Sequence, residues 1–279
     1  MAIDLEELGH SKGDLAKTLR EIRVQAGLAG DRLARRCGMT QSKISKIETG
    51  RTVPSLVDVE LILRALGVPA ELAQRVLDLA RVANTEWQDV RALRRKGLEK
   101  KQVELAALDQ SSSEIRHFLL SMLNTLLGTP EYIRASLAHV PGDTTKAVAK
   151  KLERQTVLYD ESKAFTFLLT EQAVRWAVLP ARAMAIQMDR LISVSRLPNV
   201  RLGVIPLGKY IPESPLNTFT LYDHSLSTVE TETGIVILRD RRDIQRYHEI
   251  FAMYETHALF DEQARERIAE WSALALRQL

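Results

Sequence analysis

The chain has almost no cysteine: Cys37 is the single one in 279 residues. One thiol can form neither an internal disulfide nor a cysteine-rich zinc site, and it fits a reducing compartment. No apolar run approaches the ~18 residues that a membrane helix needs. The opening MAIDLEEL is acidic and amphipathic, not basic and then apolar as in a signal peptide. These absences lead to the expectation of a soluble, cytoplasmic protein with no membrane partner. An excess of one charge is also lacking. The net charge of +3 suits an anionic partner but does not identify one, so the distribution of charge must decide.

Catalytic signatures are scarce as well. Neither GxxxxGK[ST] nor GxGxxG occurs, so Gly128-Thr129-Pro130 reads as a helix break before a restart at Glu131. His10, His117, His139, His224, His248 and His257 show neither HExxH nor paired metal-ligand spacing. Asp240 to Asp243, DRRD, offers the kind of acid pair a nuclease uses, but a solvated helix start of mixed charge accounts for it. The segment 208–215, GKYIPESP, fits a plain turn, a pocket wall or a protein contact. No catalytic residue, metal or cofactor is expected, and the chain reads as a non-enzyme.

What is present is a helix-turn-helix pattern in GDRLARRCGMTQSKISKIET, residues 30–49. Leu33, Cys37, Met39, Ile44 and Ile47 fall where two helices crossing at a tight turn must bury them. Ala34 is small where the helices approach, Gly38 supplies a positive φ at the turn, and Thr40 caps the second helix. At about 100° per residue, Ile44, Ile47 and Glu48 share one face. The other face carries Ser42, Ser45, Lys46 and Thr49, flanked by Gln41 and Lys43. Gln can pair bidentately with adenine, Ser can bond several base edges, and Lys can contact guanine or phosphate, so this face suits a major groove. Between Lys12 and Arg51, ten Lys and Arg face four Asp and Glu, a net +6 that exceeds the charge of the whole chain. That excess is the electrostatic footprint expected for phosphate contacts.

The stretch LREIRVQAGLAGDRLARRCGMTQSKISKIETGRTVPS resembles the Cro/XRE repressor family. The resemblance implies that Gln41, Ser42, Ser45 and Lys46 contact base edges or the groove and that Lys43 and Arg51 contact phosphates. It also implies an ion pair between Arg23 and Glu48. Family members usually start the second helix with Ser or Thr followed by Gln, whereas this chain has Ala29 and Gly30.

Further along, Ser55 and Asp58 signal a capping box opening a helix from Leu56 to Leu66, with Gly67 as its C-terminal cap. Residues 86–110 carry the basic cluster Arg91, Arg94, Arg95, Lys96, Lys100 and Lys101 on a mostly helical pattern. Strands are expected at 164–170, 200–206, 218–222, 226–231 and 234–238, with helices around them. The fold class is therefore an all-α helix-turn-helix domain over 1–81, a helical connector over 82–112 and an α+β domain over 113–279.

The segments LLGTPEYIRA, LERQTVLYDES, FLLTEQAVRW, MDRLISVSRLPNVRLGVIPLG and LNTFTLYD resemble the C-terminal domain of actinobacterial antitoxin-like regulators, the family that includes the WhiJ regulators. This resemblance implies regulation by a ligand or by a small acidic partner protein. The expected function is a transcriptional regulator, read as a repressor, that binds a double-stranded DNA operator as a homodimer. Two-fold operators need two recognition helices about 34 Å apart or a multiple of it, and the dimer contact is expected in 113–279. Two other readings stay open: an antitoxin-like interaction module with little specific DNA affinity, and a DNA-targeted enzyme with an unrecognised C-terminal activity.

Overall fold

The computed structural model describes residues 12–89 and 98–277. The acidic opening, His10 and the basic residues Arg91, Arg94, Arg95 and Lys96 lie outside the described residues. The chain divides into two compact units, Met1–Glu86 with Ile237–Asp243, and Trp87–Val236 with Ile244–Leu279.

The first unit contains helices α1 (Lys12–Gln25), α2 (Gly30–Arg36), α3 (Gln41–Glu48), α4 (Leu56–Ala65) and α5 (Ala70–Asn84). Apolar residues at helical spacing, Leu15, Leu19 and Ile22 on α1 and Val76, Leu79 and Ala83 on α5, close over Leu33, Ile44, Ile47 and Val59 in a single core. Gly38 takes φ +65° between α2 and α3. There a side chain would be strained, and the Met39 amide donates back to the Ala34 carbonyl at 2.8 Å. Thr40 caps α3 by accepting from the Lys43 amide. Ser55 and Asp58 form both halves of the capping box of α4.

The segment 237–243 supplies a contact that spacing along the chain could not reveal. Asp240, expected at a solvated helix start, is 2 % exposed. Its Oδ2 accepts from the Leu56 amide at 3.1 Å and its Oδ1 from the Arg242 amide at 2.9 Å. Two amides at the starts of separate helices are thus satisfied by one carboxylate, which makes its burial affordable where a solvated acid pair was expected.

The second unit is a mixed sheet flanked by helices. Its strands are β2 (Glu114–Leu119), β3 (Ala164–Thr170), β4 (Val200–Ile205), β5 (Phe219–Tyr222), β6 (Leu226–Glu230) and β7 (Gly234–Leu238), in the order β7-β6-β5-β2-β3-β4. The β2–β3 and β3–β4 pairs are parallel, while β2–β5 and β5–β6 are antiparallel. The helices are α6 (Leu98–Ser111), α7 (Pro130–Ser136), α8 (Thr145–Arg154), α9 (Glu171–Arg175), α10 (Ala181–Val194), α11 (Arg241–Glu255) and α12 (Asp261–Leu276). Parallel pairing needs crossovers: α7 and α8 lie between β2 and β3, and α10 between β3 and β4.

The expected all-helical connector is corrected in two ways. Thr85–Asp89 is a strand, β1, consistent with its β-branched and aromatic Thr85 and Trp87. Helix α6 is packed into the second unit, because Asp109 is fully buried and Arg154 of α8 closes on it with Nε–Oδ2 2.5 Å and Nη2–Oδ1 3.0 Å. At Gly128-Thr129-Pro130 the chain does break and restart: Thr129 caps α7 by accepting from the Tyr132 amide, with Pro130 in the first turn.

Candidate nucleic-acid interface

Helix α3 presents two chemically distinct faces. Ile44 and Ile47 are 2 % and 0 % exposed and anchor it in the core. Gln41, Ser42, Ser45, Lys46 and Thr49 are exposed, as is Arg51 just beyond the helix. A short helix with a buried apolar stripe and an outer face of amide, hydroxyl and ammonium groups can enter a groove without unburying its anchors. Gln41 and Ser42 lie in the first turn, at the positive end of the helix dipole, which favours an approaching phosphate.

Arg23 and Glu48 meet in a bidentate pair, with Nε–Oε1 2.6 Å and Nη2–Oε2 2.8 Å. The Arg23 Nη1 also donates to the Leu28 carbonyl at 2.8 Å. The side chains are only 15 % and 11 % exposed. The hydrogen-bonded carboxylate raises the guanidinium pKa, partly offset by burial. This pair ties α1 to the C-terminal end of α3 and fixes the angle at which the outer face is offered.

Lys43 sits differently from its neighbours. It is half-buried, and its Nζ lies 2.8 Å from Asp58 Oδ1. The same carboxylate accepts from the Ser55 amide through Oδ2. A phosphate contact by Lys43 therefore competes with the first turn of α4. Arg20, Lys46 and Arg51 make no ion pair among the described residues and carry their charge outward.

Sequence reasoning did not single out Arg20. It lines an open groove of about 290 Å³ together with Gln41, Ser45 and Thr49. The signal was available, since Arg20 lies three residues before Arg23 and so on the same face of α1. Ala29 precedes α2 with no side-chain cap, so the anchor usual at this position in the resembled family has no counterpart in Ala29. Cys37 is buried, with its Sγ 3.6 Å from the Leu61 carbonyl. Burial, and then the nearby Asp58 charge, push its thiol pKa up.

Comparison with known proteins places this geometry. Residues 14–76 match the family described as "Helix-turn-helix domain", and residues 102–270 match the family described as "Domain of unknown function (DUF5753)". No curated protein matches the chain. Among solved structures, TrmBL2, an archaeal chromatin protein whose structure shows a novel mode of DNA binding, matches at 12 % identity with TM-score 0.34. That match covers 64 % of this chain and 54 %, about half, of the archaeal one. Nuc from Salmonella typhimurium, a phospholipase D family member, matches at 11 % identity with TM-score 0.33, covering 57 % of this chain and 90 % of its own. NucT from Helicobacter pylori matches at 7 % identity with TM-score 0.36, covering 63 % and 97 %.

The sequence reading of a non-enzyme is corrected by these likenesses, since a phospholipase D family member and NucT stand among the structures matched. Lack of a recognisable catalytic motif is not grounds for excluding catalysis. At these TM-scores the likenesses assign no activity, substrate or site to this chain. Among the described residues, no helix is long and apolar enough to cross a membrane.

Proposed function

We propose, given that the chain belongs to the family defined by the domain of unknown function DUF5753, that it is a cytoplasmic XRE-type regulator that binds a double-stranded DNA operator through α3 and represses transcription. The observation that carries this reading is the outer face of α3, where Gln41, Ser42, Ser45 and Lys46 stand exposed opposite the buried Ile44 and Ile47. Gln41, Ser42, Ser45 and Lys46 read base edges, and Arg51, Lys43 and Arg20 hold phosphates. The division of labour follows from chemistry: base contacts specify, phosphate contacts position. Two copies act together on a two-fold operator, and the second unit carries dimerisation and the response to a ligand or to a small acidic partner protein.

Selection of bound fragments from the genomic DNA of the source organism, with sequencing of the enriched pool, tests the reading. A recurrent motif with two-fold symmetry is the expected result. Enrichment without any shared motif would refute sequence-specific binding.

A further inference from the structure

The first unit is completed by a short segment that arrives from far along the chain. Ile237–Asp243 belongs to it, while the residues on either side of that segment belong to the second unit. Three contacts bind the segment to the start of α4 and the end of α5. The buried Asp240 carboxylate accepts from the amide of Leu56, the first residue of α4. Arg242 Nη2 lies 2.8 and 2.9 Å from the two carboxylate oxygens of Glu60 on α4. The Arg239 amide donates to the Asn84 carbonyl at 3.3 Å, and the Asn84 side chain donates to the Pro54 carbonyl, just before α4, at 2.9 Å.

What α4 supports is the helix-turn-helix itself. Asp58, in its first turn, pairs with Lys43 of α3 at 2.8 Å. At its other end the Ala65 carbonyl accepts from Arg36 Nη1 of α2 at 3.3 Å. Between these contacts Leu56 and Val59 are buried in one core with Ile44 and Ile47 of α3. Both helices of the motif therefore rest on α4, and the placement of α4 depends on its first turn.

The amides that open a helix have no partner within it. In α4 the Ser55 hydroxyl takes the Asp58 amide and Asp240 takes the Leu56 amide. Without Asp240 a buried donor is left unsatisfied in the same turn that carries Asp58 to Lys43. A face that must match base edges needs its side chains held to within about 0.5 Å by the residues behind them. We propose that Asp240 and Arg242 are positioning residues for DNA recognition: by fixing the first turns of α4 they place the N-terminal half of α3. They complement Arg23 and Glu48, which tie its C-terminal end. The inference rests on the reading of α3 as the helix that enters the groove.

The test is the affinity of the full chain for the selected operator and for a random duplex, at a temperature where circular dichroism shows each variant folded. Asp240→Ala should lower operator affinity about tenfold and random-duplex affinity much less. Asp240→Asn, whose amide oxygen can still accept from Leu56, should recover part of that loss. A cap that serves stability alone would lower the melting temperature and leave both affinities of the folded chain unchanged. That result, or equal losses on both duplexes, overturns the proposal. If Asp240→Ala does not fold, Glu60→Arg decides. It raises the net charge, which by itself tightens binding to any DNA. Loss of the Arg242 pair should instead weaken operator binding about threefold, and Arg242→Glu in the same chain should restore it. Operator binding that is unchanged or tighter in Glu60→Arg overturns the proposal. A native chain that prefers no operator would refute the reading of α3, and hydrogen exchange without DNA then judges the positioning by itself. Amides of α3 and α4 should exchange faster in whichever variant folds, while those of α1 keep their native protection. Equal acceleration in all three helices, or none, overturns it.

Discussion

At the scale of single residues, the electrostatics of groups shielded from solvent carry measurable consequences. Removing either Arg23 or Glu48 leaves the other charge largely desolvated between α1 and α3. Loss of one partner of a fully buried pair costs 3–5 kcal/mol, and the residual exposure here places the expected loss near the lower end, about 3 kcal/mol. Chemical denaturation of Arg23→Ala and Glu48→Ala reads this directly, and unchanged stability in both would remove the pair from the account. His117 yields a pH dependence. The unfolded imidazole takes a proton near pH 6.5, whereas the folded one stays neutral down to about 3. Acidification through that window therefore favours the unfolded chain, by up to about 1.4 kcal/mol per pH unit. Stability should fall from pH 6.5 towards pH 3 more steeply in the native chain than in His117→Phe, as measured by denaturation at matched pH values. Parallel curves would mean that the ring is reached by protons in the fold. Cys37, buried with its thiol pKa raised, should resist thiol reagents until denaturant is added.

Helix α3 concentrates the functional claim at the scale of an element. Lys43 is engaged by Asp58 while Lys46 is free of ion pairs among the described residues, so the two lysines should behave differently. Lys46→Ala and Ser45→Ala should weaken operator binding far more than binding to random DNA, since a good base contact is worth about 1–3 kcal/mol. Lys43→Ala should weaken both DNAs to a similar, smaller extent, because its phosphate contact is made at the expense of the Asp58 pair. Anisotropy titrations with both duplexes distinguish the two patterns. This element was legible in the sequence because its signals are local: a period near 3.6, Gly38 at the turn and Thr40 at the cap. Strands β3 and β7 were legible for the same reason, as apolar runs rich in β-branched and aromatic residues. Strand β2, EIRHFL, escaped because Glu114, Arg116 and His117 break the apolar pattern. Of these, His117 alone lies in a buried polar row, opposite Thr220 of β5. Strand β1 escaped because the basic run that follows it reads as helix.

At the scale of the whole molecule, pairings between distant segments escaped most completely. The Asp240 carboxylate on the Leu56 amide joins residues 184 positions apart, and no periodicity announces it. It has a practical consequence, since a fragment ending near Arg81 would lack an acceptor for the start of α4. Oligomeric state is therefore better measured on the full chain. Sedimentation should give a dimer, and a monomer that occupies one operator site per chain would contradict two-fold recognition. The central claim, that α3 reads sequence, is tested most directly by one measurement on that full chain: the ratio of its affinities for the selected operator and for a scrambled duplex, in the native protein and in Lys46→Ala, at fixed salt. The account predicts a large ratio that falls by about tenfold or more in the variant while affinity for the scrambled duplex changes little. Equal losses on both duplexes, with the ratio unchanged, would contradict it.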